Sequence, residues 1–123
     1  MYIVAIPSYQ RAELLNRKTL KTLSEYNIPR NRIYVFVANK TEEQIYKEKL
    51  NKDFYGHLIV GVKGLKNQRN FISRYFPDGK QILNMDDDIG GFNSPFFIEI
   101  LYQTTSNSQF PLCSSCLTFL ING

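Results

Sequence analysis

Apolar residues alternate between short continuous runs and helically spaced sets along the first ninety residues. The runs at 2–6, 33–38, 58–62 and 81–85 are short and rich in β-branched residues, which is typical of buried strands. Residues about 11–26, 66–75 and 41–52 carry apolar side chains at helical spacing, the last set opening with a capping box at Thr41 and Gln44. This order predicts an α/β fold with three layers, α/β/α, and a mainly parallel sheet of about four strands.

Polar residues follow each predicted strand, in the segments 7–11, 38–40, 63–69 and 86–88. The carboxyl ends of parallel strands share one edge of a sheet, and ligands of open α/β sheets bind outside that edge. We therefore expect these four segments to form one site.

Three consecutive carboxylates end the fourth predicted strand. In an extended segment, Asp86 and Asp88 project to the same side and can share one divalent ion, while Asp87 points elsewhere. Mg²⁺ and Mn²⁺ take oxygen ligands, usually one or two carboxylates together with substrate phosphates. A solvated acidic turn is the alternative interpretation.

Two other segments of this edge suit a nucleotide. Gly64 allows a sharp turn into a helix whose amino terminus favours anions, so Lys66 or Arg69 is expected to meet a diphosphate, unless this is an ordinary solvated helix face. Tyr9, after Pro7 and Ser8, either stacks on a base or packs against the first helix. The chain has neither a P-loop nor a dinucleotide-binding glycine motif.

Composition narrows the class of protein. Of 123 residues, 43% are hydrophobic, enough for the core of one small domain. No apolar run reaches the roughly 18 residues that span a bilayer, and the start of the chain lacks a basic leader, so we expect a cytoplasmic protein. The net charge of +4 fits a phosphate-bearing ligand, and without a Lys/Arg-rich run no dedicated nucleic-acid surface is indicated.

The last thirty residues differ from the rest. All 15 Lys and Arg residues lie at or before Lys80, and Glu99 is the single charged residue from 93 to 123. We therefore divide the chain into an α/β domain, 1–92, and a divergent or truncated tail, 93–123, with an edge strand around 96–102. Cys113 and Cys116 have C-x-x-C spacing but no further Cys, and the one His, His57, is expected at the opposite edge of the sheet, so these thiols are interpreted as incidental.

Three motifs occur in order: I-P-S-Y-x-R at 6–11, G-L-x-N-Q-R-N at 64–70 and D-D-D at 86–88. Together they resemble the nucleotide-binding half of GT-A glycosyltransferases. The nearest resemblance is to family-two-like enzymes, particularly the small glycosyltransferases of large DNA viruses and phages, including those proposed to modify hydroxylated DNA bases. It covers residues 2–92 and implies a GT-A fold that is truncated after the D-x-D motif, in the host cytoplasm if the chain is viral.

The resemblance implies a nucleotide-diphosphate sugar as donor, Mn²⁺ or Mg²⁺ as cofactor, and an acceptor that is a glycan, a protein or a modified nucleic acid. Pro7, Ser8 and Tyr9 would line the base and ribose pocket, Asp86 would face the ribose and Asp88 the metal. The expected nucleotide-sugar-binding residues are Pro7, Ser8, Tyr9, Arg11, Asn39, Lys66, Arg69, Asp86 and Asp87, and the expected metal ligands are Asp86 and Asp88.

The chain departs from the family pattern at two places. Asn39 stands where many relatives hold the base with an Asp, which leaves the preferred base open. The acceptor half is missing or unrecognisable, and nothing around Glu99 matches the family's catalytic base, so the catalytic residue is not assigned. The alternatives are a non-catalytic or degenerate nucleotide-binding module and a metal-dependent nucleotidyltransferase.

Overall fold

The structure is a computed structural model that describes residues 2–77, 79–88 and 117–121. Within these residues one sheet has the order β3-β2-β1-β4-β5, and every neighbouring pair of strands is parallel. The strands are β1 (Tyr2–Pro7), β2 (Ile33–Val37), β3 (His57–Val60), β4 (Gln81–Met85) and β5 (Leu117–Ile121). The α/β class and the parallel sheet are confirmed, and β5 adds a strand that the apolar pattern did not predict.

The helices lie between the strands in the predicted order. A helical segment after β1 consists of α1 (Ala12–Leu15), a π-helical turn (Asn16–Leu20) and α2 (Lys21–Glu25). A short 3₁₀ turn (Arg30–Arg32) leads into β2. Two longer helices, α3 (Lys40–Lys49) and α4 (Leu65–Tyr75), follow β2 and β3.

The predicted capping box of α3 is wrong. The helix begins one residue earlier than expected, with Asn39 as its N-cap, and the side-chain oxygen of Asn39 accepts a hydrogen bond from the Glu42 amide at 2.9 Å. Asn caps a helix at least as well as Thr does, so residue type alone does not distinguish Asn39 from Thr41.

The two faces of the sheet bury separate cores, which gives the predicted three layers. One core packs β1, β2 and β4 against the first helical segment and α3 and contains Val4, Leu15, Val35, Tyr46 and Leu83. The other packs the opposite face against α4 and contains Ile3, Phe36, Ile72, Phe76 and Ile82. Because both faces are covered, β2 is a continuous apolar run, as is usual for central parallel strands. Ile45, one of the apolar residues of the segment 41–52, is 37% exposed, so it does not belong to the buried face of α3.

Gln68 of α4 connects the ends of two neighbouring strands. Its amide nitrogen donates to the Val37 carbonyl at 3.1 Å, and its amide oxygen accepts from the Val62 amide at 3.0 Å. Gly61 makes room for this side chain, since a Cβ at Gly61 would overlap the Gln68 amide oxygen. The start of α4 is thereby held at the carboxyl edge of the sheet.

Several expectations concern other parts of the molecule. His57 opens β3 at the amino edge of the sheet and stacks on Tyr34 with ring centres 4.1 Å apart, which agrees with a structural role. The predicted boundary at residues 92–93, the edge strand at 96–102, and Cys113 and Cys116 lie outside the described residues. In the described part of the chain, no helix is long and apolar enough to cross a membrane.

The contact between Gly61 and Gln68 predicts the effect of a small substitution. Gly61→Ala should lower the free energy of unfolding by about 1–3 kcal/mol, the usual cost of overpacking, because the Gln68 carboxamide must leave its position. Urea unfolding of Gly61→Ala, Gln68→Ala and the double variant tests this. The double variant should lose less than the two single losses combined, and additive losses would show that the two side-chain positions are independent.

Candidate functional site

The carboxyl ends of β1 and β4 lie side by side at the point where the strand order reverses. From β1 the chain continues to β2 and β3 on one side, whereas β4 lies on the other side of β1. Ligand crevices of open α/β sheets occur at such switch points. A cavity of about 440 Å³ lies here, lined by Pro7, Ser8, Tyr9 and Arg11 after β1, residues 62–65 before α4, residues 86–88 after β4, and Ala38 and Gln68.

The register of β1 and β4 sets the loop after β1 opposite the D-D-D turn after β4. Ala5 of β1 pairs with Asn84 of β4, and three further steps along both strands bring Ser8 opposite Asp87. The Ser8 hydroxyl donates to the Asp87 carboxylate at 2.8 Å. Both residues are buried, so the carboxylate is held inside the crevice and away from bulk water.

The carboxylates of Asp86 and Asp87 diverge, and Asp87 and Asp88 lie in a turn. Asp87 turns toward Arg11, whose guanidinium lies 3.3 Å from its carboxylate. Asp86 instead lies 3.7 Å from the guanidinium of Arg69 on α4, on the other side of the sheet. Among the described residues no three His, Cys, Asp or Glu side chains converge on one point, which agrees with this divergence.

Tyr46 of α3 completes a directional chain of hydrogen bonds beneath the cavity. Its hydroxyl lies 2.6 Å from the Ser8 hydroxyl and accepts from the Arg11 amide at 3.1 Å. Because Ser8 donates its proton to Asp87, the Tyr46 hydroxyl must donate to Ser8. The order of donation is therefore from the Arg11 amide to Tyr46, then to Ser8, then to Asp87.

The loop between β1 and α1 is also fixed through Gln10. Gln10 has a left-handed backbone conformation, with φ of 55°, which is uncommon for a residue other than glycine. Its amide donates to the buried Glu42 carboxylate at 2.7 Å. Glu42 and Tyr46, one turn apart on α3, thus bind the amides of two consecutive loop residues, Gln10 and Arg11.

The peptide group between Asp86 and Asp87 is held from the first helical segment. Thr19, fully buried in the π-helical turn, donates its hydroxyl to the Asp86 carbonyl at 2.7 Å. π-Helical turns are rare and are frequently found beside functional sites. The start of the D-D-D turn is thereby anchored through the backbone of Asp86, and its side chain is left available to the cavity.

Burial sets the protonation behaviour of the two buried acids in the hydrogen-bond chain. Burial raises the pKa of the Asp87 carboxyl above its usual 3.8, and the negative charge of Asp88 raises this pKa further. The hydrogen bond from Ser8 and the positive charge of Arg11 lower it, but by less than burial and Asp88 together raise it. Burial likewise raises the pKa of the Tyr46 hydroxyl above 10.0. Tyr46 therefore keeps its proton near neutral pH and can donate it to Ser8.

Apolar and cationic side chains surround the cavity mouth. Tyr9 lines the cavity and is 40% exposed, and the Lys63 ammonium lies 5.6 Å from the centre of its ring. Leu65 is 56% exposed although large and apolar. Gly64, with φ of 94°, makes the turn that brings Lys63 and Leu65 to this position. A flat apolar group can thus contact Tyr9 and Leu65 while an anionic group reaches Lys63.

Three of the predicted site residues do not line the cavity. The oxygen of Asn39 is occupied in capping α3. Lys66 is exposed on α4, and Arg69 contacts Asp86 from behind the cavity wall. Lys63 and Gln68 lie in the predicted site segment 63–69, although no particular role was predicted for them, whereas Glu42 and Tyr46 were missed as residues that support the site. Only the inward position of Tyr46 on α3 could have indicated one of them.

The carboxylates fit a divalent cation that is bound together with a phosphate ligand. Asp86 and Asp88 both line the cavity and are partly exposed, whereas Asp87 is engaged by Ser8 and Arg11. One or two carboxylates completed by phosphate and water oxygens is the usual arrangement for Mg²⁺. The donor set therefore suits a hard cation.

A second, larger hollow of about 640 Å³ lies between α1 and α3 and shares Arg11 with the first. Across this hollow Lys49 pairs with Glu13 at 3.3 Å. The smaller cavity is the better candidate site because it lies at the switch point and contains all three carboxylates of the D-D-D turn.

Fold and site together define a doubly wound α/β protein with an acidic crevice at its topological switch point. No protein-family model, curated protein or solved structure matches the chain. The residues of the crevice therefore carry the functional argument.

Tyr46→Phe should destabilise the fold although it removes a single oxygen atom. The variant leaves the Arg11 amide without its acceptor and Ser8 without its donor, so we expect the free energy of unfolding to fall by about 1–2 kcal/mol. Urea unfolding measures the loss. Tyr75→Phe, which removes a hydroxyl from an exposed ring, is the matched control, and equal effects of the two substitutions would contradict the role given to Tyr46.

Asp87 should make stability depend on pH in a defined direction. Because its pKa is raised in the folded state, the folded protein binds this proton more tightly than the unfolded chain does, and stability falls as pH rises above 3.8 through the raised pKa. The free energy of unfolding of the wild type, relative to Asp87→Asn, should therefore decrease between about pH 4 and pH 7. Urea unfolding across this range, with the exposed Asp53→Asn as control, tests the sign, and an increase would contradict it.

Proposed function

We propose that this chain is a metal-dependent glycosyltransferase, or its donor-binding half, which transfers a sugar from a nucleotide-diphosphate sugar to an acceptor. The observation that carries the proposal is the convergence, at one switch-point crevice, of the D-D-D turn, the Ser8 loop and the start of α4. The three motifs that resemble GT-A enzymes are the segments that line this crevice.

The apolar part of the crevice suits the nucleoside. Tyr9 and Leu65 offer flat and apolar surface at the mouth, and Pro7 and Ala38 line the wall. A base that stacks on Tyr9 would leave its ribose near the D-D-D turn, where Asp86 can accept a hydrogen bond from a ribose hydroxyl. Because the side-chain oxygen of Asn39 caps α3, other groups that line the cavity would have to contact the edge of the base.

The cationic part of the crevice suits the diphosphate. Lys63 lines the cavity at the turn before α4, and Arg11 lines it from the opposite side. The first turn of α4, an 11-residue helix, presents amide groups and the positive end of the helix dipole at the same edge. Lys63 therefore takes the phosphate-binding role that sequence reasoning gave to Lys66 and Arg69.

Asp86 and Asp88 would hold the divalent ion, which supplies Lewis-acid stabilisation of the departing nucleoside diphosphate. The protein's own contribution is to keep these carboxylates in place. Thr19 fixes the Asp86 peptide, and Ser8 and Arg11 turn Asp87 away, so that repulsion inside the turn is reduced.

Metal-dependent donor binding is the direct test of this proposal. Calorimetric titration with UDP, a panel of UDP-sugars and other nucleoside diphosphates should show binding that requires Mn²⁺. Asp88→Ala should abolish the metal-dependent part, because it removes an expected metal ligand. Asp53→Ala, which removes an exposed carboxylate near neither loop, should bind as the wild type does.

The same titration separates the alternatives. Preference for a nucleoside triphosphate over the sugar nucleotides would favour a nucleotidyltransferase. Metal-dependent binding without release of sugar from any donor would favour a non-catalytic module. Binding that ignores both Mn²⁺ and Asp88→Ala would refute the D-x-D assignment.

A further inference from the structure

Two polar atoms are buried on the α4 side of the sheet without a hydrogen-bond partner among the described residues. One is the side-chain oxygen of Asn84, on β4, a residue that is only 5% exposed. The other is the Nε–H group of Arg69, on α4. Buried polar groups are nearly always hydrogen-bonded, because an unpaired one keeps the full cost of its desolvation.

The two atoms belong to the same layer of the structure. Ile82 packs in one core with Ile72 of α4, and Asn84, two positions further along β4, points to the same side as Ile82. Arg69 precedes Ile72 by three residues, which puts both on one side of α4. The helix α4 starts at the carboxyl edge of the sheet and runs antiparallel to the strands. Arg69, near its start, therefore lies on the same part of the sheet as Asn84, near the end of β4.

The side chain of Asp86 belongs to the same group. Its carboxylate lies 3.7 Å from an Arg69 terminal nitrogen, which is beyond the 2.7–3.2 Å of a direct N–H···O hydrogen bond. Polar contacts at this separation are commonly completed by a water molecule. One donor, one acceptor and one carboxylate thus lie in the same layer, at the carboxyl end of β4.

We propose that one buried water molecule joins these three groups and that Asn84 is thereby a positioning residue for Asp86. The water accepts from Arg69 Nε–H and donates to Asn84 Oδ1 and to the Asp86 carboxylate. Three hydrogen bonds are the usual number for a buried water, and each group then has a partner. No other contact of Asn84 in the described part of the structure explains an amide in a strand whose neighbours are apolar.

The bridge has a consequence for ligand binding that rests on the proposed donor site. Thr19 fixes the backbone of Asp86, and the water fixes its side chain through Arg69 and Asn84. A carboxylate that is oriented before the metal arrives loses less freedom on binding. Loss of such supporting hydrogen bonds typically weakens metal affinity about 10–100-fold.

Asn84→Leu tests the proposal, because it replaces the amide by an apolar group of similar size. The substitution removes one of the three partners of the water while Arg69 and Asp86 stay buried, so the melting temperature should fall, and an unchanged melting temperature would count against the bridge. We also expect at least about tenfold weaker Mn²⁺-dependent UDP binding. Asn70→Leu, an exposed asparagine on α4, is the matched control and should leave affinity unchanged.

A double-mutant cycle with Arg69→Met shows whether the two residues act through one bridge. Asn84→Leu should have no further effect on UDP affinity in the Arg69→Met background, and additive losses would overturn the proposal. A crystal structure of the unliganded wild type should show one solvent peak within about 3.2 Å of all three atoms. A direct Arg69–Asn84 hydrogen bond would also overturn it. If the wild type binds no nucleotide, the donor-site proposal fails, and the crystal structure and melting temperatures still decide on the water.

Discussion

The pairing of β1 with β4 is the constraint on which the rest of the site depends. Among the described strands, this pair joins the half of the sheet that contains β1, β2 and β3 to the half that contains β4 and β5. Its register brings Ser8 opposite Asp87. A shift of one residue would turn every β4 side chain to the other face of the sheet. Asn84 and Asp86 would then face the wrong core, and Asp87 would lose Ser8. The two apolar cores, each specific for one face, prevent this shift.

Three adjacent carboxylates can coexist here because each has different surroundings. Asp87 is turned into the protein, against a hydroxyl and Arg11. Asp86 lies on the opposite side of the sheet, near Arg69. Asp88 lines the cavity and remains partly exposed. Asp86 and Asp87 thus place their charges against two different layers of helices, and Asp86 and Asp88 remain available to a ligand.

Much of the fold followed from local signals in the sequence. Buried parallel strands are continuous apolar runs, so β1, β2 and β4 were located within one residue, and parallel topology then predicted which loops meet. The strand β5 was missed because the edge strand of the tail was predicted at an earlier apolar run, 96–102. Asn39 was misjudged because Asn and Thr are both good helix caps.

The support of the site could not be predicted in the same way. Tyr46 and Glu42 meet the β1–α1 loop across more than thirty residues of sequence, through the angle at which α3 crosses the sheet. Arg69 was expected at the nucleotide, but the rotation of α4 turns it toward Asp86. These contacts depend on helix placement, which apolar periodicity does not specify to within the length of a side chain.

The way α3 holds the β1–α1 loop also bears on how the site can change. Glu42 and Tyr46 accept hydrogen bonds from the main-chain amides of Gln10 and Arg11, and every residue except proline has such an amide. These two hydrogen bonds are therefore independent of the side chains at positions 10 and 11. Position 10 can accept other residues that tolerate the left-handed conformation, such as Asn or Gly, while the loop keeps its path, whereas the side chain of Arg11 is constrained by its pairing with Asp87.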